Sequence, residues 1–140
     1  MNKRGFTLIE LLVVIAIIGL LSTLSVVALG SAREKARDSK RLSDIKQIQT
    51  ALELYYTDIG SYPAGTGLVL GVAATCLDAN GFATTCTNAY MGLVPKDPGD
   101  GSYTYTLDGT TYTIVTALEG AAGGLDAGSI TASPSGIVNG

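Results

Sequence analysis

Twenty-two consecutive residues without a charge, Leu11–Ala32 (LLVVIAIIGLLSTLSVVALGSA), constrain this chain more than any other feature of it. As an α-helix that run rises about 33 Å at ~1.5 Å per residue, enough to cross a ~30 Å hydrocarbon core. A helix is also the state that satisfies every backbone N–H and C=O inside one segment, as an apolar setting demands. The rest of the 140 residues is unlike it. Gly, Ser and Thr crowd the second half, and the charges are unevenly shared. Residues 1–46 hold eight of the nine basic side chains against four acids, whereas residues 47–140 hold Lys96 alone against eight acids, a net of −7. Such a surface repels phosphate backbones, so direct nucleic-acid binding by the distal part is not expected. There is no His and no Trp. The commonest general base and the commonest metal ligand are therefore missing.

Three readings compete for the N-terminal segment. Lys3 and Arg4 form a basic stretch, and Ala28-Leu29-Gly30 offers small residues where a signal peptidase cuts. Against a removable signal peptide, the apolar run exceeds the usual ~7–15 residues, and Glu10 interrupts its start. A plain membrane anchor leaves Glu10 unexplained, because a carboxylate at the edge of hydrocarbon is costly and usually has a partner or a function.

The third reading comes from Lys3-Arg4-Gly5-Phe6-Thr7-Leu8-Ile9-Glu10, followed directly by the apolar run. This string resembles the prepilin signature of type IV pilins and type II secretion pseudopilins, and the resemblance covers roughly the first 30 residues. It implies a short leader carrying the basic Lys3 and Arg4 and a prepilin peptidase acting on the cytoplasmic face. It further implies cleavage after Gly5, N-methylation of the new N-terminal Phe6, and retention of the hydrophobic helix. After that cut Glu10 lies four residues, one helical turn, from the amine of Phe6. In such families the carboxylate is thought to neutralise the amine of a neighbouring subunit during assembly. Two charges in an apolar setting each favour a partner over isolation. A helix-dipole role for Glu10 is compatible with this but does not replace it. The chain departs from many pilins in having no Pro before Pro63. Gly19, Ser22, Ser25 and Gly30 suit either a loosened helix or close helix–helix contact, and both readings stay open.

Orientation is contested within the sequence. Lys3 and Arg4 precede the span, but Arg33, Lys35, Arg37, Lys40 and Arg41 follow it, and a count of basic residues alone would keep the C-terminal part in the cytoplasm. The signature implies the reverse, N-terminus in and C-terminal part out, and being the more specific signal it is preferred.

Beyond Ala32 nothing breaks the helix before Gly60. Leu42, Ile45, Ile48, Leu52, Tyr55 and Ile59 recur at spacings of three and four, the stripe of an amphipathic helix. The charges of Arg33–Lys46 are expected on its other faces, solvated or touching neighbouring subunits. Tyr55 and Tyr56 are read as core packing rather than as a conductive relay. Gly60 and Pro63 end the helix, and the stretch from Ala51 to Pro63 also resembles the helix exit of major pseudopilins.

In residues 60–140, Tyr103–Leu107, Asp108-Gly109 and Thr110–Leu118 predict a β-hairpin with a type I′ turn, Tyr105 facing Tyr112 and Tyr103 facing Ile114. Leu68–Ala73 adds a candidate strand, and Gly120–Gly140 reads as loop with at most one short strand around Ile130. With this part outside, Cys76 and Cys86 are expected to pair, which stabilises by about 2–4 kcal/mol. Some pseudopilins hold calcium with loop acids in this region, which makes Asp97, Asp100 and Asp126 weak candidates; Asp108 is accounted for by the turn, and no EF-hand spacing occurs. No other cofactor is implied.

These readings give an α+β, lollipop-shaped pilin fold. Its expected segments are a leader (residues 1–5), a transmembrane and filament-core helix (6–32), an amphipathic helix packed on the head (33–59) and a β-rich head (60–140). The expected function is structural. The chain is expected to be a single-pass inner-membrane protein that joins a helical homo-oligomeric filament at the cell surface. The resemblance implies membrane lipid before assembly, a prepilin peptidase, minor pilins, a membrane platform protein and a motor ATPase as partners. A type IV pilus ranks first and the pseudopilus of a type II secretion system second. A tethered enzyme ranks far lower, since no Ser or Cys nucleophile has a His partner and no phosphate-cradling Gly motif appears. A membrane-tethered surface-binding module is the remaining rival.

Overall fold

The structure, a computed structural model, describes residues 5–140. One long helix opens the chain, α1 (Leu8–Ile59, 52 residues). It stops where the sequence changes chemistry. Gly60 adopts φ +83° and its N–H donates to the Tyr56 carbonyl at 2.8 Å, a left-handed glycine cap that residues with a Cβ rarely supply. Inside the helix the polar side chains of the apolar run turn back on the backbone. The Ser22 and Ser25 hydroxyls donate to the carbonyls of Ile18 and Leu21 at 2.7 and 2.8 Å, and Thr23 donates to Leu20 at 2.8 Å.

Backbone contacts divide the chain into two units, Met1–Glu34 and Lys35–Gly140. The second unit combines the C-terminal part of α1 with seven short strands. These are β1 (Leu68–Leu70), β2 (Cys76–Asp78), β3 (Gly81–Ala83), β4 (Tyr103–Asp108), β5 (Thr111–Leu118), β6 (Gly128–Ser133) and β7 (Gly136–Asn139). Five form one antiparallel sheet in the order β1-β4-β5-β6-β7, and β2 pairs with β3 in a separate hairpin. Each strand of the large sheet needs only one buried face, so apolar residues alternate with Thr and Ser along it. Tyr112, Ile114, Thr116 and Leu118 of β5 are buried, while Thr111, Val115 and Ala117 are exposed. The inner face carries Tyr103, Tyr105, Tyr112, Ile114, Ile130 and Ala132 onto Ile45, Ile48, Ala51, Leu52 and Tyr55 of the helix in one continuous core. Fully burying each Ile or Leu there stabilises the fold by about 1.5–3 kcal/mol. Aromatic edges knit it further: Tyr62 meets Tyr112 at 4.7 Å and Phe82 meets Tyr105 at 5.0 Å between ring centroids, both edge-on.

The α+β architecture is the one expected, with four corrections of detail. The β4–β5 hairpin turns on Gly109-Thr110, not Asp108-Gly109, so Leu107 faces Tyr112 and Tyr105 faces Ile114. Gly109 has φ +61°, and among the described non-glycine residues Asn88 alone has positive φ. That sign pattern belongs to a type II′ turn, which wants Gly first, rather than to type I′. The pairing moves by two residues, so the large side chains stay on one face, whereas a slip of one would have turned them to solvent. Second, the stripe ends at Tyr55, because Ile59 is 45% exposed. Tyr56 is also exposed, its ring tilted against Tyr62 at 4.7 Å. Third, the Gly-rich tail forms two paired strands, and the β2–β3 hairpin has no counterpart in the sequence reading. Fourth, the charge run is not wholly a solvated face: Asp38, Arg41 and Asp44 are buried.

Candidate functional site

The residues that the signature marks for processing and assembly, Gly5, Phe6 and Glu10, lie where the helix begins. Gly5 and Phe6 precede α1, and Phe6 is 84% exposed. Lys3 and Arg4 fall outside the described residues. Thr7 is the N-cap: its N–H and hydroxyl both donate to Oε2 of Glu10, at 2.8 and 2.7 Å, and its hydroxyl oxygen accepts from the Glu10 N–H at 3.3 Å. This is a capping box, in which Glu10 and Thr7 satisfy N–H groups that the first turn leaves without helical partners. The spacing Thr7-x-x-Glu10 announces it, and reading Glu10 only as a charge overlooked it. Both bonds from Thr7 end on Oε2, so Oε1 accepts no hydrogen bond among the described residues.

Behind this cap every large apolar side chain from Leu8 to Leu29 is at least 47% exposed. Ordinary soluble monomers do not present a continuous apolar surface of that length. The helix is long and apolar enough to cross a membrane. The segment therefore has a surface that lipid or other apolar helices must cover.

In the second unit the charged residues of α1 build a cluster with the head. Arg41, 3% exposed, spreads its guanidinium over three carboxylates. Nε and Nη2 donate in parallel to the two oxygens of Asp97, at 2.8 and 3.0 Å, and Nη1 donates to Asp38 and Glu119, each at 2.7 Å. Arg37 also donates through Nε to Glu119 at 2.7 Å. One turn on, Asp44 accepts from Lys40 at 3.0 Å and from the Tyr103 hydroxyl at 3.0 Å. The carboxylates in turn hold backbone. Asp38 accepts the amides of Glu119 and Gly120 at 3.0 and 2.8 Å, and Asp97 accepts those of Gly99 and Gly101 at 2.8 and 3.3 Å. Space is part of the design: a Cβ on Gly99 would stand 3.0 Å from Nη2 of Arg41, and one on Gly101 would stand 3.0 Å from the Asp97 carboxyl. Hydrogen bonds from Arg37 and then Arg41 bring the Glu119 pKa down to about 2. Burial pushes Asp97 upward, but Arg41 and the two glycine amides outweigh it and the net shift is downward. The hydrogen bond to Asp97 raises Arg41 beyond its already high value, against an opposing effect of burial. Removing one partner of a buried ion pair costs about 3–5 kcal/mol, so the cluster is held as a unit.

Cys76 and Cys86 form the disulfide, with Cα atoms 6.1 Å apart, and it brackets the β2–β3 hairpin. The calcium candidates do not come together around a common point. Asp97 is engaged as above, Asp100 is exposed, and Asp126 accepts from Asn139 Nδ2 at 3.2 Å. Asp108 is exposed at the end of β4. No group of three or more His, Cys, Asp or Glu side chains among the described residues is arranged to hold a metal ion.

Two family models match the chain. "Prokaryotic N-terminal methylation motif" covers residues 1–31, and "Type II secretion system (T2SS), protein G" covers residues 28–132. The chain is 39% identical to the type II secretion system core protein G of Escherichia coli (strain K12) over 103 residues, 73% of this chain and 70% of that protein. It is 34% identical to the core protein G of Vibrio cholerae serotype O1 over 124 residues, 87% of this chain and 83% of that protein. The core protein G of Dickeya chrysanthemi is 33% identical over 105 residues, 73% and 67% of the two chains. No solved structure matches significantly.

Proposed function

Since the chain belongs to the type II secretion system protein G family, we propose that it is the repeating subunit of a secretion pseudopilus. The observation that carries this reading is the extent of the protein G match, which runs through the head to residue 132. The pilus that ranked first on the sequence rested on the N-terminal signature, which pilins and pseudopilins share. The match favours the second-ranked reading over it. The role is structural rather than enzymatic.

In this reading the chain is held in the inner membrane by Leu11–Ala32, N-terminus in the cytoplasm and head outside. A prepilin peptidase cuts after Gly5, and the new amine of Phe6 is methylated. The cut leaves Glu10 with one oxygen held by Thr7 and the other unbonded. A neighbouring subunit's amine is a chemically suited partner for that oxygen, and apolar helices are suited to cover the exposed side chains behind it. Pairing and covering then occur together, which couples exit from lipid to entry into the filament. A platform protein and a motor ATPase supply the directed step, and minor subunits join the same filament.

The test uses the host that carries the gene. Deleting it should abolish export of secreted enzymes without loss of surface fibres, and loss of fibres with export intact would return the pilus reading. Mass spectrometry of the filament subunit should find a chain starting at methylated Phe6. Glu10→Ala should still be cut and inserted but should form no filaments, whereas a bulky residue at Gly5 should leave the chain unshortened on a gel.

A further inference from the structure

A calcium site is what resemblance to pseudopilins implies for the loops of this head, and the residues present do not fit one. Calcium takes about six to eight oxygens at ~2.3–2.6 Å. Asp97, the buried candidate, has both oxygens committed to Arg41, with Oδ1 also accepting two loop amides. Asp126 is engaged with Asn139, and no metal-holding group of acids forms among the described residues.

What a structural metal does for a loop, however, is done here. Four carboxylate oxygens from three chain segments, Asp38 of α1, Asp97 of the 95–101 loop and Glu119 after β5, converge on one buried cation. Two of those carboxylates go on to fix four backbone amides, at Gly99, Gly101, Glu119 and Gly120. The cation is a side chain of the protein's own helix. We propose that Arg41 is the structural cation of this head, standing where a divalent metal would otherwise gather the acids, so that the head folds and holds its loops without calcium. Its planar fork matches the two parallel bonds to Asp97, which the point charge of Lys would not reproduce. Without the guanidinium, Asp38 and Asp97 lose their cation and Glu119 keeps only Arg37, leaving a net negative cluster that a divalent ion can relieve. This holds whichever filament the chain joins.

The experiment is thermal unfolding of the full chain in detergent micelles, followed by the near-UV circular dichroism of its tyrosines, in millimolar calcium chloride or excess EDTA. The wild type should melt at one temperature in both. Arg41→Gln should melt roughly 10 °C or more lower in EDTA and recover several degrees in calcium. The double variant Arg41→Gln/Asp97→Asn should lose that recovery. Should Arg41→Gln fail to fold, Arg41→Lys keeps a cation in the cage and should melt below wild type while staying indifferent to calcium. A saturable rise of the wild-type melting temperature with calcium would overturn the proposal. So would an Arg41→Gln variant that melts with the wild type, or one that melts lower and ignores calcium.

Discussion

Met1–Glu34 and Lys35–Gly140 both set charge among apolar residues, and they treat it in opposite ways. In the second unit Arg41 meets four acceptor oxygens, and two of the three carboxylates go on to meet backbone amides. Ile45, Ile48 and Leu52 are fully covered. In the first unit the Glu10 carboxylate is bonded, among the described residues, through one oxygen to its own cap, and the apolar side chains behind it are exposed. One unit covers its apolar core and its buried ion cluster within the chain. The other is completed only by something outside it, and the proposed function resides there.

Paired substitutions of one residue type give the largest test of that contrast. Ile48→Ala opens a cavity under the sheet and should cost about 2–5 kcal/mol of head stability by chemical denaturation of the full chain in micelles. Ile17→Ala, in the exposed run, should leave the same denaturation midpoint unchanged and show itself only in filament yield. Equal losses at the two positions would break the comparison. Next in size, Cys76→Ser with Cys86→Ser should cost about 2–4 kcal/mol by releasing the constraint on the unfolded chain, with Leu8–Ala32 unaffected.

Acid should act on the second unit through its carboxylates. Asp97 and Glu119 have pKa values lowered in the fold, so they stabilise it above the ordinary carboxylate range. That contribution is lost as protons bind on the folded form. The loss should begin below the ordinary Glu value of 4.5 and run down to about 2, where Glu119 itself titrates. Arg37 and Arg41, whose guanidinium groups bond these carboxylates, keep their charge throughout, so the fall should be monotonic. Melting temperatures across that range check it, and Glu119→Gln should flatten the lower part of the curve.

Periodicity exposed the parts of this fold that repeat. The run Leu11–Ala32, the stripe from Leu42 and the alternation through β4 and β5 each carry a regular signal and lie where the sequence placed them, although the stripe is buried only to Tyr55 and not to the expected Ile59. The hairpin register was missed because Asp108-Gly109 and Gly109-Thr110 are both acceptable turns, and the choice is made by packing across the sheet. The second strand of the tail was missed because Gly and Ser say little about pairing; β6, around Ile130, forms against the edge that β5 offers, and β7 against β6. The ion cluster was hidden for a different reason. A burial pattern for charges is legible only when the partner is known, and the partners of Arg41 lie 56 and 78 residues away. The N-terminal signature, by contrast, is wholly local, so it can be read within a few residues and matches the methylation-motif family over residues 1–31.

The smallest expected effect separates the two duties of Glu10. Thr7→Ala removes the cap hydroxyl, and cap losses of this kind cost about 0.5–2 kcal/mol at the helix end. Hydrogen exchange of the amides at residues 8–11 should quicken, while the head melts as before. Glu10→Gln does the reverse: its side-chain carbonyl can still accept from Thr7, so the helix start is kept, but the charge is gone. If the carboxylate serves assembly through charge, Thr7→Ala should lower filament yield a few-fold and Glu10→Gln should abolish it. If Glu10 matters only as a cap, the order reverses, and the first unit would prove as locally complete at its start as the second unit is at Arg41.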